Sequence, residues 1–123
     1  MDNPNPERKY PWGDEFDRNK CNTSESDIGD TTSVGKYSPA GDSPYGVTDM
    51  AGNVWEWTSS LYRPYPYSVE DGQENPEASG SRVLRGGSFG RGEHRALCSC
   101  RDYNYPHNKW PDYGCRVCWS AVL

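Results

Sequence analysis

Aliphatic residues are scarce in this 123-residue chain: 33% of it is hydrophobic, and its mean hydropathy is -1.04. Those figures alone lean toward disorder. No run is apolar and long enough to span a bilayer, so membrane insertion is not expected. No secretory leader pattern opens the sequence, which gives no support to export by a conventional signal and leaves localisation open. Neither an amphipathic helical period nor an internal repeat is present, which argues against a helical bundle or a solenoid. The five cysteines are an odd number without secretory context, so a disulfide framework is not the default. No EF-hand loop, Ser/His/Asp arrangement or phosphate-binding glycine loop stands out either.

What the chain does hold is aromatic: five Trp, nine Tyr and two Phe. Large rings bury much area from few positions and can stand in for missing aliphatics. Thirteen Gly and ten Pro point to turns and irregular loops. The net charge of -5 is unevenly placed, with 6 basic and 15 acidic residues over 1–80 but 7 basic and 3 acidic over 81–123. The arginines of the C-terminal third are scattered rather than clustered, so nucleic acid is not the expected partner. Separate salt bridges to the acidic part account for them.

Residues 1–9 read as a flexible, proline-containing lead-in and 10–123 as a single domain. "KYPWGDEFD" (9–17) reads as a short extended piece ending in a Gly-Asp turn, and 18–35 as a long polar loop. Val54–Thr58 alternates as a strand does, with Val54, Glu56 and Thr58 on one face and the core residues Trp55 and Trp57 on the other. "RVLRGGSF" is the next strand, its paired glycines marking a bend or a close backbone approach. "YGCRVCWSAVL" is the last. Asp49 and Glu56 flank the small-residue turn that enters the first strand. Two carboxylates with intervening carbonyls are the hard oxygen donors calcium takes, although a turn-holding Asp49 and an arginine-paired Glu56 explain the same spacing.

Three stretches in this order, "PWGDEFD", "GDTTSVGKYSPAGDSPYGVTDMAGNVWEW" and "RVLRGGSF" with a "GCRV" close, resemble the formylglycine-generating enzyme (sulfatase-modifying factor) family. The match corresponds to the C-terminal half of the family domain, which raises the expectation of a homo-oligomer or a complementing partner chain. The resemblance implies an irregular C-type-lectin-like fold of the α+β class, loop-rich, with short antiparallel strands and little helix. It also implies a structural calcium ion held by the Asp49 side chain, the Gly52 and Val54 carbonyls and the Glu56 carboxylate. The family's oxidase chemistry depends on two cysteines that bind copper(I). Those positions here are Arg91 and Ala96, so neither copper nor catalysis is expected. Cys98-x-Cys100 and Cys115-x-x-Cys118 superficially suggest zinc. Residues three apart on a strand face opposite ways, however, and buried free thiols are the preferred reading.

The stretch "GRGEHRALCSCRDYNYPHNKWPDYGC", 90–115, mixes aromatic and polar residues as recognition surfaces do. A solvated loop braced by tyrosines accounts for the composition equally well. The tail is similar to those of the variable proteins of diversity-generating retroelements, in which residues from adenine-containing codons are randomised on the ligand-facing surface. That likeness implies a non-catalytic domain presenting Arg91, His94, Asp102, Tyr103, Tyr105, His107, Asn108, Asp112 and Tyr113 to a protein or other macromolecule. Arg101 and Arg116 are expected to be pairing arginines of the scaffold, and Trp110 a fixed scaffold position. The competing class is a divergent oxidase or other metal-dependent enzyme using Cys98 and Cys100.

Overall fold

The alternation after the "DMAGN" turn does become a strand. The computed structural model describes residues 3–121, and in it β1 runs Trp55–Leu61, β2 Arg82–Arg85, β3 Arg101–Asn104 and β4 Tyr113–Gly114. The sheet order is β3-β2-β1-β4. β2 lies antiparallel to both β1 and β3, while β4 joins β1 in parallel, so the sheet is mixed rather than wholly antiparallel. Three single-turn 3-10 helices, at Ser24–Ser26, Val69–Asp71 and Glu93–Arg95, are the helical elements among the described residues. None is long and apolar enough to cross a membrane.

Aromatic rings build the core from two small clusters. Trp55 is 1% exposed, Leu84 0% and Val83 5%, so β2 at the centre of the sheet is buried on both faces. The second cluster joins Tyr10, Cys21, Ala51 and Ala96, with Trp12, Phe16 and Leu97 packed against it. Tyr10 and Trp12 stack at 5.4 Å because "YPWG" closes as a turn, with the Tyr10 and Gly13 amides each donating to the other residue's carbonyl. That turn replaces the extended piece expected there. Trp57 is only half-buried, contrary to its expected place in the core, and meets Tyr113 edge-on at 5.5 Å.

The long loop 18–35 is threaded through the domain rather than laid over it. Cys21, Asn22 and Thr23 are each 1% exposed. The Asn22 carbonyl accepts the Asn53 N–H at 2.8 Å, and the Asn53 side-chain oxygen accepts the Thr32 N–H at 2.9 Å. A Cβ on Gly52, whose φ is +76°, would collide with the Asn22 carbonyl, so this crossing needs glycine. The glycine pair of "RGGSF" answers the expectation of a close approach: the Gly86 carbonyl accepts the Gly52 N–H at 2.7 Å, and a Cβ on Gly87 would lie 2.9 Å from the Arg95 carbonyl.

The last strand, the thiols and the segment of β3 depart from expectation. The lead-in is tied down from Asn3, with Arg8 donating to the Asn5 and Pro11 carbonyls and the Lys9 carbonyl accepting the Cys98 N–H at 2.7 Å. The last strand stops at Gly114; residues 115–121 are exposed and without strand pairing, and 122–123 lie outside the described residues. With that strand gone, Cys115 and Cys118 are exposed rather than buried, as is Cys98. Finally, β3 forms in a segment whose composition suggested no strand, because its backbone completes the free edge of β2.

The arginines of the C-terminal third do not mainly pair with the acidic part. Lys20–Asp17 and Arg116–Glu56 are the salt bridges among the described residues. Arg82, 8% exposed, instead donates to the carbonyls of Ser59, Asn75, Pro76 and Ala78. One buried guanidinium thereby fastens the acidic, proline-rich excursion between β1 and β2. Replacing Arg82 by Met leaves those carbonyls unsatisfied and is expected to cost roughly 2–4 kcal/mol. Urea unfolding would read that loss, and limited proteolysis should show the first new cuts between residues 62 and 81.

Candidate functional site

The polar tail has a pinned backbone and projecting side chains. The Arg91 N–H donates to the Ser88 carbonyl, and its own carbonyl accepts the Ser24 N–H at 2.9 Å. The 3-10 turn that follows is fixed by Glu25, whose carboxylate accepts the Glu93 N–H at 2.9 Å. Hydrogen bonds from that amide and from neighbouring hydroxyls outweigh burial and hold the Glu25 carboxyl below its ordinary value. Strand β3 then carries Asp102 and Tyr103, and the Trp55 N–H donates to the Asp112 carbonyl at 2.7 Å to bring the segment back into the sheet.

The nine expected ligand residues divide among different surroundings. Arg91, Asp102, Tyr103 and Tyr113 share one concavity of about 530 Å³ with Tyr62, Arg95, Arg101, Asn104 and Trp110. Tyr105 and His107 stack on each other at 5.8 Å and line a second concavity, about 730 Å³, against Trp57 and Arg82. His94 stands apart, beside Lys9, Tyr10 and Asp14. Asn108 and Asp112 are engaged within the fold. The Asn108 side chain donates to the Asn104 amide oxygen, and the Asp112 carboxylate accepts the Ser88 hydroxyl at 2.7 Å. The Tyr113 hydroxyl accepts from the Asn104 side chain at 3.0 Å, so this ring braces the concavity it lines.

Five wall residues of the first concavity, Asn104 among them, were missed as ligand candidates. Tyr62 lies outside the tail altogether; it reaches Tyr103, at 4.2 Å between ring centroids, because β2 brings β1 and β3 together. No local sequence signal marks it. Arg101, expected to pair with an acid, instead stacks on Tyr62 and Tyr65, its guanidinium 4.5 and 3.9 Å from the ring centroids. Trp110, expected in the scaffold, is 58% exposed. Arg95 carried a visible charge in the sequence but no cue to its neighbours.

Asp49, Gly52, Val54 and Glu56 do come together, around a cavity of about 200 Å³ that Thr48 and Arg116 also line. Asp49, Gly52 and Asn53 all have positive φ, at 53°, 76° and 67°, so the backbone kinks sharply around this cavity. The two expected side-chain ligands, Asp49 and Glu56, offer carboxylate oxygens, the hard type that calcium takes, and the Cys115 thiol also lines the cavity. Both carboxylates already have partners. Asp49 accepts the Gly35 N–H at 2.7 Å; Glu56 accepts from Arg116 through both oxygens, at 2.9 and 2.7 Å. Arg116 also donates to the Thr48 and Asp49 carbonyls. The chemistry of the donor set fits calcium, and an entering ion has to share Glu56 with the guanidinium. The pairing with Glu56 raises the Arg116 pKa, so that neighbour stays cationic.

At the two positions expected to correspond to a copper pair, Arg91 is exposed and Ala96 is 1% exposed. Among the described residues, no group of three or more His, Cys, Asp or Glu side chains converges as a metal site.

The sulfatase-modifying factor enzyme 1-like domain matches residues 5–121. Hercynine oxygenase from Mycolicibacterium thermoresistibile is 37% identical over 93% of this chain, which spans 27% of that protein. Inactive C-alpha-formylglycine-generating enzyme 2 from Mus musculus is 36% identical over 91% of the chain, which spans 37% of it. Among solved structures, Treponema denticola variable protein 1 superposes with a TM-score of 0.66 at 25% identity, covering 90% of this chain and 41% of that one. The loop-rich sheet agrees with the C-type-lectin-like class that the resemblance implied.

The thiols give a direct test of this arrangement. Burial pushes the Cys21 thiol up to about 12. It therefore keeps its proton in the folded chain; its contribution to stability is whole below the ordinary thiol value and fades as the pH climbs toward 12. Alkylation at about pH 8 followed by mass spectrometry is expected to label Cys98, Cys115 and Cys118 while sparing Cys21 until the protein unfolds.

Proposed function

The chain belongs to the sulfatase-modifying factor enzyme 1-like family, and on that footing we propose that it is a non-catalytic recognition domain displaying residues 91–113 to a macromolecular ligand. The observation that carries this reading is the tail's division of labour: its backbone is hydrogen-bonded into the domain while Tyr103, Tyr105 and Trp110 remain 51%, 53% and 58% exposed. Rigid, exposed aromatics beside arginine, histidine and asparagine are what a protein-binding surface uses. The likeness to a variable protein supports assigning the diversity to this segment. Because Tyr105 and His107 project from the fold, substitution there is expected to shift stability by less than about 0.5 kcal/mol. Sequencing this gene in many clones from one source population tests the display. Changes confined to codons of 90–113 are the expected result; an invariant segment overturns it.

Calcium, on this reading, is structural: Asp49, Glu56 and the Gly52 and Val54 carbonyls hold it, and it supplies positive charge that braces backbone poor in strand pairing. At a hundredfold excess over Kd, calcium is expected to add about 2.7 kcal/mol of stability, seen as a raised Tm relative to the chelated protein. Asp49→Asn and Glu56→Gln should each remove that shift. An unchanged Tm in the native chain counts against the site.

The second reading is an oxidase, favoured by the similarity to hercynine oxygenase. Arg91 and Ala96 offer no thiolate, and Cys98 is exposed and Cys100 half-buried at unrelated spacing. Copper(I)-dependent oxygen consumption with a cysteine-containing peptide is expected to be absent.

A further inference from the structure

Of the nine arginines, Arg18 and Arg63 are exposed outside any concavity described above, and the other seven fall into two groups. Arg8, Arg82, Arg85 and Arg116 all donate to carbonyls or carboxylates within the fold. Arg91, Arg95 and Arg101 line a single concavity, and none of their guanidinium N–H groups has a hydrogen-bond or ion-pair partner among the described residues. Three cationic forks thus face one space against one carboxylate, that of Asp102, which accepts its neighbour's Tyr103 N–H at 2.8 Å. In a chain of net charge -5 this is a local island of positive charge.

The island is held in place before any ligand arrives. Arg101 is sandwiched between Tyr62 and Tyr65, 4.5 and 3.9 Å from their ring centroids, and the Tyr65 hydroxyl accepts from Arg85 at 3.3 Å. Stacking on rings fixes the guanidinium plane and leaves its N–H edge free for an oxyanion. Arg91 precedes the 3-10 turn and Arg95 ends it, their amides donating to the Ser88 and Gly92 carbonyls. Around the charges stand apolar faces, the stacked Tyr62–Tyr103 pair and the exposed Trp110. A bare phosphate would leave these rings unused. A long nucleic-acid strand would run from the island onto a surface whose net charge is negative like its own. The volume of about 530 Å³ holds a few side chains.

We infer that the concavity walled by Arg91, Arg95, Arg101, Tyr62, Tyr103 and Trp110 docks an acidic segment of a protein partner, its carboxylates on the arginines and a flanking aromatic side chain on the rings. This rests on the recognition reading above and gives its ligand a chemical class. Planar forks grip carboxylates bidentately, and the rings contribute contact area with little conformational freedom to lose.

The probe is a fluorescent pentapeptide with aspartates on both sides of a tryptophan, compared by polarisation with its asparagine counterpart. The acidic peptide should bind at least roughly tenfold tighter, with an affinity that falls as salt rises. Arg95→Gln and Arg101→Ala should each weaken it by roughly fivefold or more, whereas Arg63→Gln, at an exposed arginine outside the concavity, should not. Arg95 is exposed, so its variant keeps the test valid if removing Arg101 from its tyrosine stack unfolds the chain. Equal binding of the two peptides, no binding of the acidic one, or tighter binding of a thymidine oligonucleotide of matched charge each overturns the inference. Those failures leave the display reading intact, since that reading is tested separately, by codon variation. An invariant tail with a positive peptide result does the reverse.

Discussion

Two loops cross at Asn22 and Asn53, and the rest of the domain hangs from that crossing. The Asn22 carbonyl takes the Asn53 N–H, the Asn53 carbonyl takes the Phe89 N–H, and the Asn53 amide group grips the backbone of Thr32. Three distant segments are thereby held on one residue, next to the turn that launches the central strand. Each such bond contributes only about 1 kcal/mol net, but buried backbone groups left without partners would cost more. With so little aliphatic surface to bury, the domain relies on satisfied polar groups to fix its shape. That is why Gly52 cannot be larger: a side chain there would push the two loops apart.

The same economy of apolar residues explains how arginine is used. Arg82 and Arg85 tie excursions to the sheet through backbone carbonyls, work that a hydrophobic anchor does in other folds. A guanidinium offers five donors in a rigid fork, enough to gather several carbonyls of an irregular loop at one point. Carbonyls are present whatever the loop's sequence, so this fastening tolerates variation in the side chains it holds. The tail benefits likewise: the bonds through Ser24, Ser88 and Glu25 reach its main chain. A surface whose backbone is held this way can change its side chains without losing its shape.

Charge that the scaffold does not neutralise is concentrated where the tail meets β1. Arg91, Arg95 and Arg101 come from three points along 91–101, yet the 3-10 turn and the start of β3 direct them to one space. Tyr62, just beyond β1, completes the wall, and Tyr65 stacks on Arg101. The concavity is therefore composite: the tail supplies charge and part of the aromatic face, and the residue just after β1 supplies the rest.

The order of amino acids was enough to reveal the family, the central strands at Trp55 and Arg82, the need for glycine at Gly86 and Gly87, and the gathering of Asp49 and Glu56 at one turn. Those features are local: alternation, turn chemistry and short spacing act over a few residues, and composition reports them directly. It did not reveal that β3 forms, that the strand at the C-terminus stops at Gly114, or that Trp57 lines a surface concavity. Strand formation at an edge depends on a partner supplied from elsewhere in the chain, and burial depends on what is packed above. Nor could it separate Arg82, satisfied by carbonyls, from Arg101, stacked and unbonded. That difference lies in which distant groups surround each guanidinium, and only the tertiary structure decides it.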